Sequence, residues 1–426
     1  MKARSVATTG LLSIVSIILS AIIMALGNGL MFAYVPFVLA TSALPSWVAG
    51  TAVSLIALGG LVGCLITGPL IRRVGHARVF ACFAAIIIAA AALIGFGLNA
   101  ATWLSSRTLY GIASSGVFIV MQSWINHASA NSWRGNAMAL FYMSYIIGLG
   151  VGALLMGYLP IEGNFAPMLT AFFAASAILP VGLTRLPNPP PPARVSIDIA
   201  RFWRSSPVGL IGILASGGLS MLVQGFTPIY AAQSGLGQKD VGTLMFCLQL
   251  GMIFVQYPMG YLSDRIDRRY VLIATCLLTT LAAGIVLQLD FASFVLAAII
   301  FGLWGGATET VYSVAHAHAN DRADPDDYVP LASTLLVAWS ASAFVGPAIV
   351  TALTPFFGQR LFVHAVMAIA VAYAIFVMAR MRMRESVEAA EAESFELVSS
   401  QVPNASALVN PGLGNPPAEE VKPAKA

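Results

Sequence analysis

The chain has 426 residues, of which 58% are hydrophobic and 9% charged, and its mean hydropathy is +0.84. These values lie well outside the usual range of soluble globular domains, so composition excludes that class. The net charge of +4 is modest and gives no reason to expect a nucleic-acid partner.

The first long apolar stretch indicates how the chain folds. No charged residue occurs between Val6 and Ile71. A transmembrane helix needs about 20 apolar residues, so this stretch is long enough for two spans. Such runs are too long and too uniformly apolar for barrel strands. Because backbone groups in lipid must pair within the protein, the sequence predicts an all-α membrane protein.

Hydropathy predicts twelve transmembrane helices, in two halves of six. A proline-rich segment at 186–206 predicts a cytoplasmic linker between an N-terminal half, 11–185, and a C-terminal half, 207–381. Residues 1–10 form a short N-terminus, and 382–426 form a polar tail that we expect to be mostly disordered. The helices are placed at 11–40, 46–71, 79–98, 102–127, 135–158, 165–185, 207–232, 239–263, 270–289, 292–318, 328–354 and 359–381.

The basic residues favour one orientation. With both termini in the cytoplasm, 19 of the 22 Lys and Arg residues lie on the cytoplasmic side. Lys239 and Arg360 lie outside, and Arg107 lies within a span. The positive-inside rule therefore predicts cytoplasmic termini, and we expect a bacterial inner (plasma) membrane.

A charged motif occurs at equivalent places in the two halves. GYLSDRIDRR, at 260–269, lies between predicted spans 8 and 9, and GPLIRRVGHAR, at 68–78, lies between spans 2 and 3. Span 4 carries RTLYGIASSG, at 107–116. Repeats of six helices about an axis along the membrane normal are typical of secondary transporters.

These motifs resemble the signature loop and the fourth-helix motif of the major facilitator superfamily. The resemblance covers the chain except for the polar tail. Four stretches are similar more specifically to its YcaD-like branch: RRVGHARVFACFA, QSWINHASANSWRG, GYLSDRIDRR and AHANDR. The resemblance implies a membrane transporter whose spans 1, 4, 7 and 10 line the pathway, with no assured substrate. Three positions depart from the pattern. Arg72 replaces an acid, Asp267 replaces a glycine, and the non-titrating Gln122 stands where a glutamate is expected.

The two loops predict a cytoplasmic gate. Asp264 is suited to the N-terminus of span 5 beside Arg134, because helix N-termini favour nearby acids. Arg72 and Arg73 would then face acids just before span 11. The alternative is that the arginines only follow the positive-inside rule and meet lipid phosphates. The predicted gate comprises Gly68, Arg72, Arg73, Gly75, Arg78, Arg134, Gly260, Asp264, Arg265, Arg268, Arg269, Asp324, Asp326 and Asp327.

Two formally charged residues, Arg107 and Glu309, fall within predicted spans. Charges in lipid are costly and normally face a cavity or a partner. Arg107 is a candidate for coupling protonation to substrate, or it snorkels to the outer interface. Glu309 is a candidate proton carrier, or a structural carboxyl hydrogen-bonded to its neighbours. Tyr312 and His316 lie on the same helical face, and His316 is a candidate to continue a proton path.

Polar and aromatic residues of the expected lining helices are candidates for a substrate cavity. The same residue types also hold membrane helices together, so we expect about half of them to line it. The candidates are Asn28, Tyr34, Gln122, Asn126, Gln224, Tyr230, Tyr312 and Trp339.

The sequence thus predicts secondary active transport of a small molecule by alternating access, coupled to protons, with export slightly favoured by family tendency. An uncoupled facilitator and a non-transporting membrane sensor are the alternatives. No metal spacing, Walker motif or nucleophile–base pair is present, so we expect no metal, no cofactor and no enzymatic activity. The expected partners are the lipid bilayer, a small-molecule substrate and protons, and two fused halves make a monomer sufficient.

Overall fold

The computed structural model describes residues 2–129, 133–184, 189–190, 196–324 and 328–383, with side chains from residue 13 onward except those of 328 and 329. This part of the chain forms thirteen α-helices and no strand. They are α1 (Lys2–Thr41), α2 (Trp47–Val74), α3 (His76–Ile94), α4 (Ala100–Ala128), α5 (Arg134–Met156), α6 (Phe165–Leu183), α7 (Ile199–Ser205), α8 (Pro207–Gln233), α9 (Gln238–Ser263), α10 (Arg268–Val286), α11 (Phe294–Asn320), α12 (Tyr328–Phe357) and α13 (Leu361–Met381).

Twelve of these helices are long and apolar enough to cross a membrane, which confirms the predicted fold class. The exception is α7, a short helix inside the predicted linker. Asp198 caps it by accepting a hydrogen bond from the backbone N–H of Arg201 at 2.9 Å. The helix α1 begins at Lys2, earlier than predicted, because no proline precedes the apolar run to stop the helical ladder.

The two halves repeat the same packing. In the first half α2 packs on α4, α1 on α5 and α6, and α3 on α4 and α6. In the second half α9 packs on α11, α8 on α12 and α13, and α10 on α11 and α13. Each pair in one half has its counterpart in the other, so the chain contains two six-helix pseudo-repeats. Across the halves α2 packs on α12, α5 on α9 and α1 on α8.

Glycines allow the closest of these crossings. Gly251 of α9 lies against the backbone of Gly302 in α11, and Gly111 of α4 lies against the backbone of Ile56 in α2, so neither site has room for a Cβ atom. Without a hydrophobic force between helices in lipid, such backbone approach is a main source of helix association.

The ends of the bundle differ. We name the end that carries Arg72, Arg73, Arg268 and Arg269 the basic end. Near the opposite end, Gly50 of α2 lies against Thr351 of α12, and Gly225 of α8 lies against Val53 of α2. In the described residues, α4 and α11 do not pack extensively on each other. The two halves therefore meet most closely away from the basic end.

Candidate functional site

A cavity with both apolar and polar wall residues lies between the two halves. It is lined from the first half by α1, α2, α4 and α5, and from the second half by α8 and α12. Three of the predicted cavity residues, Asn28, Gln224 and Trp339, lie in its wall. The wall also contains Phe32, Ile56, Ala57, Gly60, Cys64, Ser114, Ser115, Phe118, Tyr145, Leu149, Ser220, Met221 and Ser340.

A buried hydrogen-bond chain supports the first-half wall. The hydroxyl of Tyr110 donates to Oδ1 of Asn28 at 2.7 Å, and Nδ2 of Asn28 donates to the hydroxyl oxygen of Tyr145 at 2.7 Å. These side chains are at most 5% exposed. Both hydrogen-bonding groups of the Asn28 amide are thus occupied, which holds three helices, α1, α4 and α5, in one arrangement.

Arg107 lies immediately behind this wall. It is 2% exposed, and its guanidinium carbon lies 5.6 Å from the ring centre of Phe32 and 5.7 Å from that of Tyr110. Its Nε and Nη1 atoms have no hydrogen-bond partner in the described part of the chain. Stacking on aromatic faces recovers about 0.5–2 kcal/mol of such a cation's desolvation cost. The structure therefore places Arg107 inside the bundle, one aromatic ring away from the cavity.

Glu309 lies behind the second-half wall, on α11. It is 1% exposed, and its Oε1 accepts a hydrogen bond of 2.5 Å from the hydroxyl of Ser220, which itself lines the cavity. Further along α11 the rings of Tyr312 and His316 lie 6.0 Å apart, and Nδ1 of His316 lies 3.4 Å from Nδ2 of Asn320. The cation Arg107 and the acid Glu309 thus flank the cavity from opposite halves.

Gln224 and Trp339 complete the second-half wall. Oε1 of Gln224 accepts from Nε2 of Gln249 at 3.4 Å. Nε2 of Gln224 and Nε1 of Trp339 have no hydrogen-bond partner in the described residues. Leaving a buried N–H without an acceptor costs about 1–3 kcal/mol of stability, so an acceptor that reaches either atom would bind favourably.

Other predicted cavity residues on α1 and α4 lie elsewhere. Tyr34 stacks on Trp103 with ring centres 6.3 Å apart. Nε2 of Gln122 donates to the hydroxyl of Tyr142 at 2.7 Å. The side chain of Asn126 is buried in α4, and its backbone carbonyl accepts from Nε of Arg134 at 3.1 Å. These contacts hold helices together.

Tyr230 and Tyr312 also lie outside the wall of the cavity. Tyr230 packs against Phe291 and Phe362 and lines a smaller pocket at the opposite end, between α2, α8 and α12. Tyr312 lies one helical turn beyond Glu309, toward the basic end. The predicted set therefore divides between cavity and packing.

The second-half loop at the basic end forms a dense ion network. Nε of Arg268 lies 2.6 Å from Oδ2 of Asp321, with both side chains 3% exposed. Nη1 of Arg268 lies 3.3 Å from Oδ1 of Asp264, and Nη2 of Arg269 lies 2.6 Å from Oδ2 of Asp267. These pairs all join residues of the second half to one another.

Asp267, which stands where the superfamily pattern has glycine, caps α10. Its Oδ1 accepts from the backbone N–H of Arg269 at 3.0 Å. Burial alone would raise the pKa of this carboxyl, but the hydrogen bonds and the charge of Arg269 outweigh burial and hold the pKa below its ordinary value. The loop therefore keeps Asp267 ionised.

The other predicted gate residues lie on the surface of the basic end or close to it. Arg72, Arg73 and Arg78 are exposed, and Gly75 joins α2 to α3 with a φ of 83°, a conformation that favours glycine. Gly68 lies in α2 and the buried Gly260 lies in α9. The guanidinium of Arg265 lies over the ring of Tyr261, 3.5 Å from its centre.

The acids before α12 are described only in part. Oδ2 of Asp324 lies 4.0 Å from Nη2 of Arg201, with both side chains largely exposed, so this pair contributes little to stability. Asp326 and Asp327 lie outside the described residues. The pairing of Arg72 and Arg73 with these acids stays a prediction.

Sequence reasoning missed most of the wall residues, and four missed residues matter most to the geometry of the site. Tyr145 lies on α5, which was not expected to line the pathway, and Ser220 is one of several small polar residues in α8. Phe32 and Tyr110 carry no sequence signal beyond their place near Asn28 and Arg107. The i+3 spacing from Arg107 to Tyr110, which puts the two on one face of α4, is a signal that could have found this cluster.

Comparisons with known proteins agree with this architecture. The sequence profile of the Major Facilitator Superfamily matches residues 17–239 and again 208–415. Proteins named "Uncharacterized MFS-type transporter YcaD" are similar over 318 residues, which is 74% of this chain and 81% of theirs. The identity is 30% for the protein from Salmonella arizonae and 31% for that from Salmonella enteritidis.

A solved structure shows the same fold. The nucleoside transporter NupG, crystallised as a D323A mutant, is similar with a TM-score of 0.73 over 86% of this chain and 99% of that chain, at 11% identity. The chain belongs to the major facilitator superfamily. It is an integral membrane transporter and not an enzyme.

Proposed function

We propose that this member of the major facilitator superfamily is a proton-coupled secondary transporter that exports a small molecule from a bacterial cell by alternating access. The cavity between the halves is its substrate site. Glu309 carries the proton, and Arg107 and His316 assist. The observation that supports this most directly is the buried carboxyl of Glu309, bonded to Ser220 in the cavity wall.

The geometry suits a coupling role. Ionising a carboxyl in a membrane interior is costly unless a partner offsets the charge. The hydroxyl of Ser220 offers one hydrogen bond and also faces the cavity, so a molecule that binds there changes the surroundings of Glu309. Arg107 supplies the opposite charge from the other half. Binding and protonation are then linked through two states of one cavity.

The proposed orientation places both termini and the basic end in the cytoplasm of a bacterial inner membrane. The halves meet most closely at the opposite end, near Gly50 and Gly225. In this orientation the structure is in the inward-facing state. We propose that Asp264 and Arg134 approach each other when the basic end closes, as do the first-loop arginines and the acids before α12.

The test uses a substrate found by thermal-shift screening of the purified chain against metabolites and drugs. Uptake of that compound into proteoliposomes is measured with and without a pH gradient. We expect the gradient to drive transport in the wild type and to have no effect on Glu309→Gln. Glu162→Gln, which neutralises an exposed acid outside the helices, is the matched control and should behave as wild type.

Transport that is independent of pH in both wild type and Glu309→Gln would support the uncoupled facilitator instead. Compounds that bind but never cross the bilayer would favour a membrane sensor. Transport of the wild type driven by pH, and unchanged in Glu309→Gln, would move the proton site to another residue.

A further inference from the structure

Two fully buried polar atoms of the cavity-wall residues lack a partner in the described residues, and both are hydrogen-bond donors. Gln224 is 2% exposed and its Oε1 already accepts from Gln249, so its free atom is the amide Nε2. The free atom of Trp339 is the indole Nε1, which can only donate. Both lie in the same wall, on α8 and α12. A molecule that satisfies them must present acceptors.

The first half adds a third donor. Tyr110 donates to Asn28, and Asn28 donates to the hydroxyl oxygen of Tyr145. Since the oxygen of Tyr145 receives this bond, its own proton is directed to a further acceptor. Tyr145 lines the cavity opposite Gln224 and Trp339. Residues that carry such donors thus line the cavity from both halves.

Charge narrows the choice among acceptors. Among the described residues no carboxylate forms an ion pair with Arg107, and its guanidinium lies just behind Phe32 in the wall. Opposite charges attract more strongly where the dielectric constant is low. The wall also contains Ile56, Phe118 and Met221, so a large part of the bound molecule is apolar.

We propose that the substrate is an amphipathic organic anion, a carboxylate or related oxyanion on an apolar or aromatic body. Tyr145, Gln224 and Trp339 bind its oxygen atoms, and Arg107 attracts its charge from behind Phe32. This inference rests on the proposed transport function and names the substrate class of the same cavity. A membrane potential that is negative inside drives an anion outward, which agrees with export.

The test compares head groups on fixed bodies. The full chain in lipid nanodiscs is titrated calorimetrically with 4-phenylbutyrate, 4-phenylbutanamide and 4-phenylbutylamine, and with the corresponding octyl and indolylpropyl compounds. Empty nanodiscs correct for partition into lipid. We expect at least one carboxylate to bind about tenfold or more tightly than its amine, because the donors and the Arg107 cation can bind an oxyanion by charge-assisted hydrogen bonds and attraction, whereas they repel an ammonium group. Amines that bind equally well or better, or carboxylates that show no binding beyond empty nanodiscs, would overturn the proposal.

Variants locate the binding groups. Arg107→Gln should weaken carboxylate binding about tenfold or more, and Trp339→Phe and Gln224→Leu about threefold to tenfold each. Trp304→Phe is the matched control. Nε1 of Trp304 also lacks a partner in the described residues, but its ring packs against Phe301 and Phe362, away from the cavity wall. The affinity of Trp304→Phe for the carboxylate should stay within about twofold of wild type.

Two outcomes of the variant series overturn the assignment. One is an equal loss of affinity in Trp304→Phe and Trp339→Phe, which would make the loss a general packing effect. The other is unchanged affinity in Trp339→Phe and Gln224→Leu. The midpoint of thermal unfolding of each variant without ligand shows whether it folds.

The binding measurement does not depend on transport, so its result can contradict the substrate class without contradicting proton coupling, and the reverse. Carboxylate binding with transport that is independent of pH overturns proton coupling alone. Coupled transport of compounds that include no anion overturns the substrate class alone.

Discussion

Arg268 and Asp321 form a buried ion pair of 2.6 Å that joins the start of α10 to the residue that follows α11. Both side chains are 3% exposed, and Nη1 of Arg268 also donates to the hydroxyl of Ser263 at 3.1 Å. The second-half loop motif is therefore tied first to its own half. Arg268 therefore stabilises the packing of the second half.

Removing one partner of this pair should destabilise the protein. We expect Asp321→Asn to lower the free energy of unfolding by about 3–5 kcal/mol, because Arg268 then loses its buried carboxylate partner and keeps the more exposed Asp264. Asp324→Asn, which removes an exposed acid paired with Arg201 at 4.0 Å, should cost at most about 1 kcal/mol. Unfolding of the detergent-solubilised chain by denaturant measures both. Equal effects would show that burial of the pair does not govern its energy.

The acid at the cap of α10 should make stability depend on pH. The pKa of Asp267 is lowered in the folded chain, so its stabilising contribution is present above the ordinary Asp value and is lost as the pH falls through the folded value. Asp267→Asn keeps a capping oxygen and removes the charge. We expect the variant to be less stable than wild type at pH 7, and the difference to shrink as the pH falls below about 4 toward the folded pKa.

The measurement is the unfolding midpoint in nanodiscs from pH 7 to pH 3. Asp240→Asn, which changes an acid in the first turn of α9 at the opposite end, serves as control. A difference between Asp267→Asn and wild type that is as large at pH 3 as at pH 7 would show that the change in cap geometry, and not the charge, causes it.

The hydroxyl of Tyr110 should matter more than an exposed tyrosine hydroxyl. Tyr110→Phe leaves the buried Oδ1 of Asn28 without the donor that now lies at 2.7 Å. An unsatisfied buried acceptor costs about 1–3 kcal/mol, so the thermal midpoint should fall clearly. Tyr158→Phe, at a side chain that is 65% exposed, should leave the midpoint unchanged. A fall of equal size in both variants would count against the Asn28 chain as a stabilising unit.

The spans and halves followed from the sequence because lipid imposes a simple rule of length and hydropathy. The direction in which each polar side chain points did not follow from the sequence. Gln224 and Gln122 lie on helices that were both expected to line the pathway, yet Gln224 faces the cavity while Gln122 donates to Tyr142. Helical spacing gives each residue's angle about its own axis but not the position of the neighbouring helix. That position also brought Tyr145 of α5 into the wall.

The loop acids show the same limit. Asp264 was expected to meet the N-terminus of α5, and in the structure its carboxylate lies 3.3 Å from Arg268 of its own half. In the structure Asp264 and Asp267 pair with arginines of their own half, and the sequence alone does not give the position of one half against the other. The gate stays a prediction.

Access to the cavity should be sided. Cys64 lies in the wall on α2, in the half of that helix nearer the basic end, whereas Cys82 is exposed on the outer face of α3. A chain that keeps Cys64 alone should react with a charged, membrane-impermeant methanethiosulfonate faster in inside-out than in right-side-out vesicles, because the halves meet most closely at the opposite end. A chain that keeps Cys82 alone should react slowly in both, since lipid covers that face. Faster labelling of Cys64 in right-side-out vesicles would mean that the resting state opens outward, or that the basic end is not cytoplasmic.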